Sequence, residues 1–404
     1  VNITLPYGEN EGTQVYTRDI QVILDTYDHL GWASRYAGDD TTNPLPAFFS
    51  SPIKNVSNYQ NRLVFSTDSQ VCFSGTADYG NFFRTTVRDL IDSDPFSLAP
   101  ATDDGSLIKH TVPFKDNLIV LTTNSQHVVH GADGALSPKT AQILPATKAT
   151  SDFFVRPEVV GDSLFFPFTN ESGTGLWEMR QKGRGYETID VSTQIPGYLP
   201  QGPFKIVGSL KHQALFLLDN AVPDHDEARN LYVYKWLDTA QGRTQSAWTR
   251  WQFDRQGASG YGANYCIKSM TMGVDRLYLL TCRADVSGNA TPVPHYLEYI
   301  DLDLTSTDSL LHNSLEDNFN NILLDRKTPH TDCIVEYSGG DSTVTLPWTI
   351  PSPMQNDFVL VKAGGLFYTL SGVGASGTLI ASDGPSITVE GTDLTGDVFW
   401  GGFR

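Results

Sequence analysis

Asn61-Arg62-Leu63-Val64-Phe65-Ser66-Thr67-Asp68-Ser69-Gln70-Val71-Cys72-Phe73-Ser74-Gly75 is matched without a gap by Asn117-Leu118-Ile119-Val120-Leu121-Thr122-Thr123-Asn124-Ser125-Gln126-His127-Val128-Val129-His130-Gly131. Both stretches read as an apolar strand, a tight polar turn at Thr-Asp/Asn-Ser, and a second strand entered through Gln. The repeat unit is therefore a β-hairpin. The same grammar recurs at Leu164-Phe165-Phe166 returning through Leu176-Trp177, at Leu215-Phe216-Leu217-Leu218 returning through Leu231-Tyr232-Val233-Tyr234, and at Leu277-Tyr278-Leu279-Leu280 returning through Tyr296-Leu297-Glu298-Tyr299. Hairpin starts lie roughly 45 to 62 residues apart, which suits a four-stranded propeller blade better than a helical repeat.

A chain of 404 residues is beyond the ~250–300 at which one hydrophobic core stops growing, so it is modular. Strands such as Leu118-Ile119-Val120-Leu121 and Leu215-Phe216-Leu217-Leu218 are apolar on both faces, as expected when each sheet is covered by its neighbours. The expected fold is mainly β, a β-propeller-like array of blade hairpins with a small additional C-terminal β-domain. Residues 1–60 read as an entry segment or linker, with one strand candidate at Asp19–Leu24 and a Pro-punctuated stretch, Asn43-Pro44-Leu45-Pro46, that is neither helix nor central strand. Residues 61–303 hold the hairpin array. Residues 304–404 hold an amphipathic helix at Ser309–Leu324, then strands and Gly-rich turns. The chain opens on Val1 without a methionine or a basic-plus-apolar leader, and it reads as a segment of a longer protein.

The formal charge is −18, and the one basic cluster, Arg180-Gln181-Lys182-Gly183-Arg184, reads as a turn. Gripping DNA by neutralising phosphates needs a larger basic patch, so a conventional nucleic-acid binder is excluded. No stretch reaches the ~20 apolar residues that span a bilayer. The four cysteines (Cys72, Cys266, Cys282, Cys333) include no Cys-x-x-Cys, which argues against zinc ribbons and redox motifs. Cys72 reads as a buried strand thiol, and a Cys266–Cys282 disulfide stays open as a minor alternative.

No constellation points to catalysis, a metal or a cofactor. The acidic pairs Asp39-Asp40, Asp92-Ser93-Asp94, Asp103-Asp104 and Asp224-His225-Asp226-Glu227 are the candidates for a glycosidase, but solvated acidic loops outweigh that reading. His127 and His130, three apart on a strand, face opposite ways and cannot share a metal. His225 among its acids lacks calcium-loop spacing. Trp248 and Trp251 suggest a sugar platform; core packing outweighs it, with Trp251 and Phe253 expected on the core face and Trp248 kept as a contact candidate.

Several segments, in order, resemble the tail tubular protein B or nozzle family of short-tailed bacteriophages, podoviruses of the autographivirus kind. They are Thr42-Asn43-Pro44-Leu45-Pro46-Ala47-Phe48-Phe49, Asn61-Arg62-Leu63-Val64-Phe65, Thr76-Ala77-Asp78-Tyr79-Gly80-Asn81-Phe82-Phe83, Asp92-Ser93-Asp94-Pro95-Phe96, Ile195-Pro196-Gly197-Tyr198-Leu199-Pro200-Gln201-Gly202 and the Trp248/Trp251 strand. The resemblance covers roughly residues 32 to 255, and more faintly extends to 340. It implies a non-enzymatic structural protein of the virion's short tail. The subunit would form a homohexameric ring below the tail adaptor around the DNA-ejection channel, gate genome retention and release, and help attach tail fibres. Family members are about twice this length, and their N-terminal platform part and final C-terminal stretch have no counterpart here. Genomic duplex DNA would pass without specific binding. An acidic wall repels it weakly, whereas a basic one would hold it, so Asp39, Asp40, Asp103 and Asp104 are expected to include lumen-facing residues. The alternatives are a propeller-fold polysaccharide depolymerase or glycosidase of a virion tail and, more remotely, a secreted carbohydrate-binding propeller glycosylated at Asn55 and Asn289.

Overall fold

The computed structural model describes residues 32–101, 105–151, 155–219, 226–239, 242–253, 265–283, 295–302, 325–350, 358–362, 366–369, 377–381 and 384–403. The expected helix at Ser309–Leu324 and strand at Asp19–Leu24 lie outside them. The chain divides into two compact units, one within 20–220 and 231–250, the other within 221–230 and 251–404.

Among the described residues the first unit holds four four-stranded sheets in which neighbours in sequence are neighbours in the sheet. The first sheet holds β1 (Asn55–Tyr59), β2 (Arg62–Ser66), β3 (Val71–Phe73) and β4 (Phe96–Leu98). The second holds β5 (Ile108–Phe114), β6 (Asn117–Thr122), β7 (Gln126–His130) and β8 (Gln142–Thr147). The third holds β9 (Glu158–Val160), β10 (Ser163–Asn170), β11 (Gly173–Lys182) and β12 (Gly185–Asp190). The fourth holds β13 (Pro203–Ser209), β14 (Ala214–Asp219), β15 (Asn230–Thr239) and β16 (Gly242–Gln252). In each sheet the apolar hairpin read from the sequence supplies the second and third strands. The first sheet begins at Asn55, a few residues ahead of the boundary drawn at 61.

The sheets are blade-like because they are covered on both sides. Leu118, Ile119, Val120 and Leu121 are all fully buried, and the pleat sends them alternately to two different cores. Leu118 and Val120 pack with Val64, Val71 and Phe73 of the first sheet, while Ile119 and Leu121 pack with Leu164, Phe166 and Met179 of the third. The third sheet repeats the device, turning Phe165 and Leu176 toward Leu215, Leu217, Tyr232 and Tyr234 of the fourth. Each such side chain contributes about 1.5–3 kcal/mol by leaving water, so neither face of a blade tolerates a polar row. The seam between third and fourth sheets is close enough that a Cβ on Gly208 would lie 2.1 Å from Val160 Cγ2.

The gapless fifteen-residue match locates both hairpins but misreads their register by one residue. Thr67 N–H donates to Gln70 O in the first turn, and the structurally equivalent bond in the second runs from Thr122 N–H to Ser125 O, each at 2.8 Å. In both, the threonine hydroxyl also accepts from the amide that closes the turn. Thr67 therefore corresponds to Thr122, whereas the match aligns it with Thr123. A slip of one residue exchanges the two faces of a strand. Val64 accordingly faces the following sheet, as Ile119 does, and not the preceding one as Val120 does.

The second unit has a three-stranded sheet, β17 (Tyr265–Met272), β18 (Arg276–Arg283) and β19 (His295–Asp301), which is the fifth predicted hairpin with one strand before it. It also contains β20 (Asp325–Pro329), β21 (Ile334–Ser338), β22 (Asp341–Ile350), β23 (Phe358–Lys362), β24 (Leu366–Thr369), β25 (Gly377–Ala381), β26 (Gly384–Val389) and β27 (Phe399–Phe403). These eight form one sheet in the order β20-β27-β23-β24-β25-β26-β22-β21. Its two end strands are consecutive in the chain, joined only across the turn at His330–Asp332. The sheet therefore curls around a core of Val344, Leu346, Phe358, Leu360, Ile387, Val389 and Phe399. This is the additional C-terminal β-domain. The compact grouping places the fifth hairpin sheet with it, whereas the sequence boundaries put that sheet with the array.

Candidate functional site

Four of the family-like segments, scattered over residues 42–96, converge on the first sheet. Between β3 and β4 the chain makes a long excursion, residues 74–95, and Arg62 at the start of β2 holds both of its ends. The Arg62 guanidinium is fully buried and donates to the carbonyl oxygens of Ser74 (2.6 Å), Asp94 (2.9 Å) and Asp92 (2.7 Å). It also lies over the Phe96 ring at 5.2 Å. Burial pushes its pKa below the ordinary arginine value, with the Asp94 charge opposing that shift. The Asp94 carboxylate, equally buried, accepts from the Thr85 amide and hydroxyl and from the Ile91 amide, which folds the excursion on itself.

The turn between β1 and β2 joins this frame. Gln60 and Asn61 both adopt positive φ (45° and 60°), the backbone of a two-residue turn that favours Asn and Gly. Asn61 accepts Tyr79 O–H at 2.6 Å and Ala77 N–H at 2.8 Å, while the Gln60 amide reaches Gly134 O and Leu136 N–H beside the second sheet. The Pro-punctuated stretch is tied in by Asn43, whose side chain donates to Ala37 O and Arg84 O and accepts from Arg84 N–H. Phe48, Phe65, Phe82 and Trp32 interlock beneath it, with Phe65 and Phe82 stacked at 5.2 Å. The expected linker is thus, from Trp32 on, a folded arm. Arm and excursion together carry large apolar side chains into solvent: Tyr36 is 90% exposed, Phe49 59% and, on the excursion, Val87 50%.

The charged candidates lie on the same arm. Asp39 accepts from Thr42 N–H, Thr42 O–H and Thr41 N–H, and these bonds, the Thr42 amide first, lower its pKa. Asp40 is exposed and pairs with Arg35 at 2.5 Å. Asp103 and Asp104, with Asp224 and His225, lie outside the described residues.

A second polar cluster ties the third sheet to the fourth. Glu178, fully buried on β11, accepts Ser163 O–H at 2.6 Å, Arg180 Nε–H at 2.7 Å and both Nη groups of Arg243 on β16 at 2.5 and 3.1 Å. Arg243 also donates to Asp238 at 3.0 and 3.2 Å and lies over Trp236 at 5.1 Å. Burial works against the Arg243 charge, but the bonds to Asp238 and Glu178 outweigh it and raise its pKa. Burial likewise tends to raise Asp238, and Arg243 with Arg180 reverses this and lowers it. Trp248 belongs to this region. It is half-buried, donates its indole N–H to Val191 O at 2.8 Å and lies 5.0 Å from Tyr234 against the shared core. The half-buried positions of β16 are Arg243, Trp248 and Trp251, so simple alternation, which turned Trp248 away from the core, does not hold along this strand.

Sequence reasoning missed both clusters. Their signals were charges inside apolar runs, Arg62 ahead of Leu63-Val64-Phe65 and Glu178 within Leu176-Trp177-Glu178-Met179, because such charges are rarely buried without partners. The basic cluster at Arg180–Arg184 is in part the expected turn, between β11 and β12, but Arg180 itself pairs with the buried Glu178. Among the described residues no group of three His, Cys, Asp or Glu is placed to hold a metal. His127 is buried and His130 exposed, as their spacing on β7 requires.

A family model described as bacteriophage nozzle protein matches residues 24–402. Tail tubular protein gp12 of Escherichia phage T7 is 28% identical over 227 residues, 55% of this chain and 28% of that protein, so the chain spans well under a third of this curated relative. Among solved structures, the WD40 domain of Neurospora crassa Pan2 is 11% identical and covers 89% of this chain and 96% of that one, with a TM-score of 0.35. Citrobacter koseri AztD is 10% identical over 76% and 67% with a TM-score of 0.33. Superpositions this loose carry no functional weight.

Proposed function

The chain belongs to the bacteriophage nozzle protein family, and from that premise we propose that it is a ring-forming subunit of the tail nozzle, lining the channel through which the genome leaves. A structural role in the virion tail follows from the family and from the tail tubular relative. The ring, the gate, the docking on the tail adaptor and the attachment of fibres are the reading offered here. In it the protein is a homohexamer and works by shape and charge, with no catalytic step.

The observation that carries it is the folded arm on the first sheet. Tyr36, Phe49 and Val87 stand in solvent on a frame fixed by Arg62, Asn43 and Asp94. Exposed apolar side chains held on a rigid frame suit a contact surface of an assembly. The negative balance of the chain supports an unadhesive wall for passing duplex, and Asp39, Asp40, Asp103 and Asp104 are proposed to include residues that face it. Trp248 has only its exposed edge to offer as a contact.

Electron microscopy of the purified protein with its tail adaptor tests this directly. Six-fold rings are expected, and a chain that stays monomeric under all adaptor ratios refutes the ring. Tyr36→Asp combined with Phe49→Asp is expected to leave a folded monomer that no longer assembles. Asp39→Lys with Asp40→Lys is expected to slow genome ejection in vitro, and unchanged ejection kinetics remove these residues from the channel wall.

A further inference from the structure

In the three-stranded sheet, Cys266 of β17 and Cys282 of β18 are direct cross-strand partners. Both are buried, neither is in a disulfide, and they pack together with Ala228 in a small apolar cluster. Directly opposed residues of an antiparallel pair have Cα atoms about 4.5–5.5 Å apart, and a disulfide accepts about 4.4–6.8 Å. The Cα spacing of such a pair therefore falls within the range a disulfide spans. The other two cysteines have no such mate: Cys72 on β3 faces Phe65 and Ser97, and the Cys333 thiol donates to Pro329 O.

We propose that Cys266 and Cys282 form a redox-closed staple, a dithiol while the chain is made in a reducing cytosol and a disulfide once it meets an oxidising medium. Two S–H bonds break and one S–S bond forms. The two electrons and two protons pass to a small-molecule disulfide such as oxidised glutathione, which leaves as two thiols through a mixed-disulfide intermediate. Burial first, and then the neighbouring Cys266, push the Cys282 thiol up to about 11. The attacking thiolate is therefore scarce near neutrality, and closure is slow and accelerates as pH rises. The staple joins two adjacent strands, β17 and β18, and closes the stretch of chain between them, which constrains the unfolded state. The inference is independent of the ring.

The 404-residue chain is held overnight, folded, with oxidised glutathione at pH 8.5 or with dithiothreitol, then unfolded and alkylated. All four cysteines should be alkylated in the reduced sample. After oxidation Cys266 and Cys282 should be protected, and peptide mapping should link them to each other. The thermal midpoint should rise by on the order of 5 °C, a rise absent in Cys282→Ser. Alkylation of both residues after oxidation, a glutathione adduct persisting on either, or a link from either to Cys72 or Cys333 overturns the proposal. Because the mapping uses the unaltered protein, it stands even where the serine variant fails to fold.

Discussion

Arg62 and Arg243 are both guanidiniums drawn out of water, but one is met by three backbone carbonyls and the other by two carboxylates. The first arrangement fastens a loop to its own sheet through acceptors that do not themselves titrate. The second fastens one sheet to the next and depends on two. A buried cation held by carbonyls is fixed by chain geometry, whereas one held by carboxylates is fixed by charge balance, so the two sites should fail under different insults.

The largest effect should come from Glu178→Ala, which leaves Arg180 and Arg243 with only Asp238 of their two carboxylate partners. A loss of about 3–5 kcal/mol is expected in urea unfolding, and a loss under about 1 kcal/mol would mean that Asp238 alone suffices. Arg62→Met should cost somewhat less, about 3 kcal/mol, since three carbonyls lose a charged donor. Its signature is local: protease cleavage or hydrogen exchange should rise within residues 74–95 while the third and fourth sheets stay protected. Gly208→Ala probes the same seam as Glu178 without charge, and forcing a methyl against Val160 should cost about 1–3 kcal/mol with no dependence on salt.

Acid separates the two arginines further. Asp238 has its folded pKa lowered below the ordinary aspartate value of 3.8, so its contribution is fully present above that value and is lost as pH falls through the folded one. Unfolding followed between pH 5 and pH 2 should show this loss in the unaltered protein and in Arg62→Met, and a smaller loss in Asp238→Asn. The mildest change is Glu158→Gln. Burial raises the Glu158 pKa, with the Gly208 N–H bond opposing it, so folding works against its charged form. An amide keeps an acceptor for that N–H, and the variant should be unchanged or more stable by a few tenths of a kcal/mol. A clear loss would show the carboxylate to be needed by Arg156 or Lys205.

Much of the architecture was legible because hairpins are local. Leu118–Leu121 and Leu215–Leu218 announced two-sided burial by being apolar at every position, and the order of strands followed from the order of hairpins. The folded arm was less legible. Asn43-Pro44-Leu45-Pro46 correctly excluded regular structure, but a stretch without regular structure can be a linker or a tightly bonded frame, and only Asn43's bonds to Arg84, 41 residues away, decide between them. The cross-strand meeting of Cys266 and Cys282 was one open option among cysteine spacings until the register of β17 on β18 fixed it.

By itself the sequence determined that the chain is a series of hairpin sheets with apolar faces on both sides, since alternation and turn chemistry act over a few residues and need no distant partner. The tertiary structure alone decided which face meets which neighbour. The repeat of Thr122 and Thr123 lets a letter-by-letter match slide by one position, and a slide of one exchanges the two sides of a strand. It also decided the partners of Arg62 and Glu178, because a buried charge obliges the chain to supply a counterpart but does not say from where.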